Sequence, residues 1–279
     1  YEKWSMNPEK SFDIYLDETN KALNETKDSG KTDLIVWTES AIPVLLDNPN
    51  FTQRFKDIAI NNNAHFITGV FESKGQGDSF EIFNSMAVID PKGSLLGTYY
   101  KRHLVPFGEY LPFGNLTRRI FPVLSKLNAL DSDVIAGEKV GIFETSFGKV
   151  GSIICYESIF PEIVSSNITY GAELIAISTN DSWYKDSSAV YQHNAQAVLR
   201  AIENDRFIIR AANTGISSII DNKGNIIDSI PPLESGYIFD KVSFIKTRTL
   251  YSYIGDIPIV LFSLLSIFFL SKKRNTKIL

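Results

Sequence analysis

The chain has 279 residues, of which 44% are hydrophobic and 22% charged, and its 28 basic and 32 acidic side chains give a formal net charge of −4. This composition is ordinary for a globular protein of one large domain or two modest ones, and it lacks the basic footprint of a nucleic-acid-binding protein. The single cysteine and three histidines do not have the spacing of a zinc site.

The first half of the chain predicts alternating strands and helices. The predicted elements are a strand at 33–37, a helix at 51–62, a strand at 65–71 and two strands at 83–89 and 94–100. The last two strands flank Asp90-Pro91-Lys92-Gly93, a turn signal that predicts a hairpin.

The second half continues this pattern. The predicted elements are strands at 149–155 and 174–178, a helix at 187–204, and strands at 207–211, 217–220 and 225–230. Hairpins are mixed with strand–helix–strand units, so we expect helices that cover sheets. Residues 110–138, rich in Pro, Phe and Leu, predict a long irregular segment, which is uncommon unless it is functional.

The C-terminus differs in character. Residues 257–270 carry no charge, two tyrosines precede them, and Lys272-Lys273-Arg274 follows almost at once. Aromatic and basic flanks of this kind are typical of a membrane-spanning helix, which needs about 20 largely apolar residues. We therefore predict a transmembrane helix at 251–271 and a basic cytoplasmic tail at 272–279, with residues 1–250 on the outer side. The alternative is a buried C-terminal core helix.

Three chemically active side chains stand at the ends of predicted strands: Glu39, Lys101 and Cys155, the only cysteine. A partly desolvated carboxylate can have a pKa raised toward neutrality, which suits a general base. A lysine beside a thiol lowers the pKa of the thiol and can donate to an oxyanion. Taken singly, each residue also fits a structural role, as a rim carboxylate, a solvated charge or a small core side chain.

The segments that contain these three residues resemble the nitrilase, or carbon–nitrogen hydrolase, superfamily. The similarity covers nearly all of residues 1–250 and includes Gly69-Val70-Phe71-Glu72, Phe83-Asn84-Ser85 and the segment from Ser178 to Trp183. It implies an α/β fold, a nitrilase-like αββα sandwich, followed here by one C-terminal transmembrane helix. It also implies a Glu-Lys-Cys triad.

Two segments resemble one branch of the superfamily, the apolipoprotein N-acyltransferases. They are Lys101–Pro112 and Cys155-Tyr156-Glu157. The resemblance implies transfer of an acyl chain from a phospholipid, through a Cys155 thioester, to the α-amine of a diacylated apolipoprotein. It places the enzyme in the bacterial inner membrane with its catalytic domain on the periplasmic side. That branch has several N-terminal transmembrane helices which this sequence lacks, so we expect the C-terminal portion of a longer enzyme.

Carried over residue by residue, the resemblance implies that Cys155 is the nucleophile, Glu39 the general base and Lys101 the oxyanion and thiolate stabiliser. The supporting residues would be Glu109, Tyr156 (through its backbone N–H) and Glu157, and the substrate-binding residues Trp4 and Asn84. Phe107, Tyr110 and the apolar residues from Leu111 to Leu124 would form a loop that enters lipid or covers the acyl pocket; the alternative is a loop packed on the domain's own surface. Neither a metal nor a cofactor is expected, because Lys101 and the backbone N–H supply the electrophile.

Three other interpretations remain open. An amidase of the same superfamily would pass the acyl group from a small amide or nitrile to water, but it leaves the apolar C-terminus unexplained. A non-catalytic protein with this fold would not need all three triad residues. A Cys–His protease using His193 or His103 would leave Glu39 and Lys101 without a role.

Overall fold

A computed structural model describes residues 7–75, 80–114 and 134–275, with side chains described as far as Leu270. Trp4 and residues 115–133, most of the predicted irregular segment, lie outside the described residues.

The first sheet has four strands in the order β1-β2-β3-β4. They are β1 (Leu34–Val36), β2 (His65–Lys74), β3 (Glu81–Ile89) and β4 (Leu95–Tyr100). β1 runs parallel to β2, and the other neighbours are antiparallel. The predicted hairpin is confirmed, since the N–H of Gly93 donates to the carbonyl of Asp90 at 2.9 Å in the turn between β3 and β4.

The second sheet has six strands in the order β10-β9-β8-β7-β6-β5. They are β5 (Gly141–Thr145), β6 (Gly148–Ile154), β7 (Leu174–Asn180), β8 (Ile208–Asn213), β9 (Ser217–Ile220) and β10 (Ile226–Ile230). The central strands β6, β7 and β8 are parallel, so their carboxyl ends meet at one edge. The outer pairs are antiparallel: β5 with β6, β9 with β8, and β10 with β9.

Helices cover the outer face of each sheet. They are α1 (Pro8–Glu25) and α2 (Thr52–Asn62) on the first sheet, and α3 (Pro161–Thr169) and α4 (Ser188–Asn204) on the second. A third apolar cluster, which includes Ile67, Met86, Ile154 and Leu174, fills the space between the sheets. The predicted nitrilase-like αββα sandwich is confirmed. α1 was not predicted; Asn7 caps it by accepting from the N–H of Glu9 at 3.0 Å.

The C-terminus differs from the prediction. Two helices, α5 (Tyr251–Ile254) and α6 (Ile257–Asn275), are separated at Gly255, whose φ of 52° ends α5. Among the described residues, no helix combines the length and the apolar character that a membrane crossing requires.

The predicted transmembrane helix at 251–271 is therefore not confirmed. The uncharged stretch 257–271 has 15 residues, and at 1.5 Å per residue it reaches about 22 Å, less than the roughly 30 Å of a bilayer core. The basic residues predicted as a separate tail instead continue α6 as far as Asn275.

Candidate active site

The three predicted catalytic side chains lie at strand ends, as the sequence indicates. Glu39 stands three residues after β1, Lys101 directly after β4 and Cys155 directly after β6. Their exposed fractions are 6%, 1% and 6%. Two of them come from the first sheet and one from the second. The hydroxyl of Ser178 donates to the carbonyl of Trp37 at 2.8 Å and joins the two sheets close to Glu39.

The segment of Glu39 passes very close to the middle of β2. A Cβ atom built on Gly69 would lie 2.4 Å from the amide nitrogen of Ser40 and 2.6 Å from the Cα of Glu39. Ser40 itself has a φ of 45°. Only glycine leaves enough space for this approach, so Gly69 allows the chain to turn and direct Glu39 inward.

Glu39 belongs to a buried network of two carboxylates, a lysine and an amide. The Nζ of Lys101 lies 3.2 Å from Oε1 of Glu39 and 3.0 Å from Oε1 of Glu109. The Nδ2 of Asn84 donates to the same two oxygens at 2.7 Å each. Burial alone would lower the pKa of Lys101, but the charges of Glu109 and Glu39 hold it well above its ordinary value. The lysine is therefore a fixed positive charge.

Cys155 forms an elbow between β6 and a 3₁₀ turn, Cys155–Ile159, with a φ of 50°. Burial raises the pKa of its thiol, and the charge of Glu39 raises it further, whereas Lys101 lowers it. Lys101 does lower the pKa of the thiol, as expected. The net pKa is nevertheless raised, because the effect of burial is larger than that of the lysine. The resting thiol is protonated at neutral pH.

Glu157 connects the elbow to the segment that follows Lys101. Its carboxylate, completely buried, accepts from the N–H groups of Ile154, Arg102 and His103 at 2.8, 2.7 and 3.1 Å and from the hydroxyl of Tyr99 at 2.7 Å. Burial raises the pKa of Glu157, and these hydrogen bonds oppose the rise. Glu157 thus fixes Cys155 relative to Lys101. The family resemblance had implied only an unspecified supporting role for Glu157.

A second buried cluster, Asp181, His193 and Arg210, lies behind the elbow and was not predicted. Nδ1 of His193 lies 2.7 Å from Oδ1 of Asp181, and Nη2 of Arg210 donates to Oδ2 of Asp181 at 2.8 Å. Burial would raise the pKa of Asp181, but the hydrogen bond to His193 and the charge of Arg210 hold it at about 2. One sequence signal could have found the pair: Asp181 directly follows β7, and Arg210 lies on its parallel neighbour β8.

Cys155, Asp181 and His193 place possible metal-binding atoms within 4.8 Å of one another. The carboxylate of Asp181 already accepts hydrogen bonds from Arg210 and Thr179, and both nitrogens of His193 have polar partners. A cation here would also lie beside the guanidinium of Arg210. The donor set therefore fits a charged hydrogen-bond network better than a metal centre.

The positions of Tyr156 and of the two histidines considered for a Cys–His protease, His103 and His193, are also defined. The ring of Tyr156 packs edge-on against Phe160, with centroids 5.1 Å apart, and Phe160 also contacts His103. The nitrogens of His193 face the carboxylate of Asp181 and the carbonyl oxygen of Cys155. Among the described residues, the partner of Sγ of Cys155 is the carbonyl oxygen of Asn180, at 3.8 Å, whereas a Cys–His protease needs an imidazole bound to the thiol.

Comparison with known proteins agrees with this architecture. A family model described as "Carbon-nitrogen hydrolase" matches residues 5–250. The chain is 36% identical over 230 residues to "Apolipoprotein N-acyltransferase" of Geobacter metallireducens, covering 82% of this chain and 43% of the relative. It is 35% identical over 243 residues to the protein of that name from Rickettsia prowazekii, covering 86% and 48%. The chain thus spans about half the length of the curated relatives it matches.

Among solved structures, a carbon-nitrogen hydrolase from Helicobacter pylori G27 superposes with a TM-score of 0.61 at 18% identity, over 81% of each chain. At this identity the similarity concerns the fold alone.

Proposed function

Because this chain belongs to the carbon–nitrogen hydrolase family, we propose that it carries the catalytic domain of an acyltransferase that acts on lipoproteins. The reaction moves a fatty acyl chain from a phospholipid to the α-amine of a diacylated apolipoprotein. The observation that carries the proposal is the buried group of Glu39, Lys101 and Cys155, whose charges act on one another, in a chain similar to proteins named apolipoprotein N-acyltransferase.

In the first half-reaction Cys155 attacks the ester carbon of the phospholipid. The raised pKa of the thiol means that a base must remove its proton during the attack, and Glu39 is the carboxylate whose charge acts most strongly on it. A thioester forms, and the lysophospholipid leaves with the proton that Glu39 had accepted. Lys101, held positive by two carboxylates, and the N–H of Tyr156 stabilise the oxyanion.

In the second half-reaction the amine of the apolipoprotein attacks the thioester. Glu39 accepts a proton from the amine. The thiolate of Cys155 then leaves and takes this proton from Glu39, and the amide product is released. Asn84 supports binding of the amine, because its Oδ1 is buried and has no hydrogen-bond partner among the described residues, while its Nδ2 holds both carboxylates. That oxygen is free to accept from the incoming N–H.

Both substrates are lipids, so the site should work at the surface of the inner membrane, and we place it on the periplasmic side. Contact with the membrane, on whichever side, is supported by exposed apolar side chains on α6, where Phe262 is 73% exposed and Phe269 64%, and in the loop near Lys101, where Phe113 is 85% exposed. Patches of this kind mark contact with a membrane or a partner. We propose α6 and this loop as the lipid-contacting surfaces.

The test is intact-mass spectrometry of the chain after incubation with phospholipid in detergent. We expect an acyl adduct on Cys155 that hydroxylamine removes, and transfer of the acyl group to a diacylated peptide with a free amine rather than to water. Cys155→Ala should abolish the adduct, and Glu39→Gln should slow its formation by about 10²–10⁴-fold, the usual contribution of a general base.

Hydrolysis of small amides without any adduct from phospholipid would contradict the proposal and favour the amidase. Near-normal turnover of the Glu39→Gln variant would remove Glu39 from the mechanism.

A further inference from the structure

The carbonyl group of the nucleophile residue accepts two hydrogen bonds from buried side chains. The hydroxyl of Ser158 donates to the oxygen of Cys155 at 2.8 Å, and Nε2 of His193 lies 3.2 Å from the same oxygen. A carbonyl oxygen can only accept, so this bond requires a hydrogen on Nε2; the carboxylate of Asp181, 2.7 Å from Nδ1, also accepts, so this arrangement has a hydrogen on each ring nitrogen. Nε2 also lies 3.1 Å from the hydroxyl of Ser158, so the two donors form one unit.

The position of His193 is fixed from behind. Its Nδ1 contacts Asp181, and Asp181 is held by Arg210, whose other terminal nitrogen donates to the carbonyl of Ile216. Within this unit His193 is 4% exposed, Asp181 1% and Arg210 1%. A carbon atom at Gly215 would lie 2.1 Å from Oδ2 of Asp181, so the backbone also confines the carboxylate. The imidazole therefore has little freedom to turn.

The contacts from Ser158 to His193 and from His193 to Asp181 resemble those of a Ser–His–Asp catalytic triad. These residues cannot act as such a triad. Ser158 is completely buried, and its hydroxyl hydrogen is used in the bond to Cys155. A nucleophile must reach its substrate, and this one cannot. The three residues thus need a different explanation, and their shared target is the carbonyl of Cys155.

That carbonyl lies in the same peptide plane as the N–H of Tyr156. In a trans peptide the C=O and the N–H point in opposite directions, so fixing one fixes the other. Hydrogen bonds to a carbonyl also polarise the peptide and make its N–H a stronger donor. Cys155 has a φ of 50°, a conformation that costs energy for a residue other than glycine, so the plane needs such restraint.

We propose that His193 and Ser158 are positioning residues that orient and polarise the N–H of Tyr156 toward the oxyanion. This inference rests on the proposed function, in which the N–H of Tyr156 stabilises the tetrahedral intermediate. It adds to that mechanism a buried pair of residues that does not touch the substrate.

The experiment compares two reactions of Cys155. Acylation by a p-nitrophenyl fatty ester, followed as a burst of p-nitrophenol, passes through an oxyanion. Alkylation by iodoacetamide uses the same thiol but forms no oxyanion. We expect Ser158→Ala and His193→Leu to lower the acylation rate roughly 10–100-fold, which is less than loss of a whole oxyanion donor, while alkylation changes less than about 3-fold. His193→Gln, which keeps an N–H near the Nε2 position, should recover part of the loss.

Ser152→Ala is the matched control, because Ser152 is also a buried serine, on β6, and its hydroxyl has no partner among the described residues. It should leave both rates unchanged. A parallel fall of acylation and alkylation in Ser158→Ala would show a general distortion and overturn the proposal, and so would the absence of any fall.

The incubation with phospholipid described above distinguishes a failure of this inference from a failure of the proposed function. A wild-type burst with the p-nitrophenyl ester, lost in Ser158→Ala, would support the oxyanion device even if phospholipid left Cys155 unmodified. A wild-type chain that shows no burst would overturn both.

Discussion

The thiol of Cys155 and the amine of Lys101 are both held protonated, the thiol as a neutral group and the lysine as a cation. The carboxylates of Glu39 and Glu109 hold the pKa of Lys101 high, while burial and Glu39 keep the thiol protonated. Glu39 therefore has two effects on the thiol: its charge opposes formation of the thiolate at rest, and in the proposed mechanism its carboxylate receives the proton when substrate is bound.

These two effects give a prediction about thiol ionisation. Glu39→Gln should move the midpoint of the pH dependence of Cys155 alkylation to lower pH, because it removes a negative charge near the thiol. Lys101→Met should move the midpoint to higher pH. Alkylation of Glu39→Gln at fixed pH should therefore become faster although ester turnover falls. The measurement is the rate of iodoacetamide labelling as a function of pH.

Lys92→Met supplies a matched control, since Lys92 is exposed in the hairpin turn at the opposite end of β4 from Lys101, and its midpoint should equal that of the wild type. A midpoint that rises in Glu39→Gln would show that Glu39 does not control the thiol through its charge.

At the residue scale the sequence predicted where the reactive side chains lie but not which polar groups surround them. Glu39, Lys101 and Cys155 were singled out because each stands at or just past the end of a predicted strand, and the family resemblance supplied their predicted roles. The contact between Asp181 and Arg210 depends on the register of β7 against β8, and that of His193 depends on how α4 lies on the sheet. Such relations arise only in the folded chain, so local sequence patterns do not contain them.

At the scale of elements, the Glu39 segment crosses β2 in close contact at Gly69. We predict that Gly69→Ala destabilises the protein by about 1–3 kcal/mol, as overpacking usually does, and lowers acyl-transfer activity more than 10-fold because it displaces Glu39. Denaturant unfolding and the rate of adduct formation measure the two effects.

Gly236→Ala is the corresponding control. A carbon atom there would meet only Ile230, at 3.6 Å, so stability and activity should stay close to the wild type. Full activity in Gly69→Ala would show that the position of Glu39 tolerates a shift of the segment.

The elements themselves were predicted well where two local signals coincided. The hairpin of β3 and β4 combines alternating strands with the turn Asp90–Gly93, and the helix at 187–204 matches α4 within one residue. α1, α3 and β5 were missed. The first residues of α1 carry many charges among few apolar side chains, and only Phe12 and its neighbours reveal the buried face once α2 packs on it.

At the scale of the whole molecule, α6 stands apart from the sandwich. It carries a row of exposed apolar side chains, among them Phe262, Leu265 and Phe269, which are 73%, 56% and 64% exposed. We predict that changing these three to Ser weakens flotation with phospholipid vesicles at least about 10-fold, since each apolar side chain contributes roughly 1–2 kcal/mol on transfer to lipid.

The melting temperature of the sandwich should not change in this variant, because the three side chains are exposed in the folded chain. Leu199→Ser is the control: Leu199 is 46% exposed on α4, outside the proposed lipid contact, and flotation should be unaffected. Unchanged flotation of the triple variant would show that α6 is not the lipid contact.

The protonated state of Cys155 has a further consequence, for chemical durability. Oxidants such as peroxide attack thiolates far faster than thiols. The folded chain keeps its only cysteine buried and with a raised pKa, so sulfenic acid forms on it slowly. An unfolded chain restores the ordinary pKa and loses this protection. Folding therefore protects the thiol of Cys155 from oxidation, and in the proposed mechanism its activation waits until a substrate ester reaches Glu39 and Lys101.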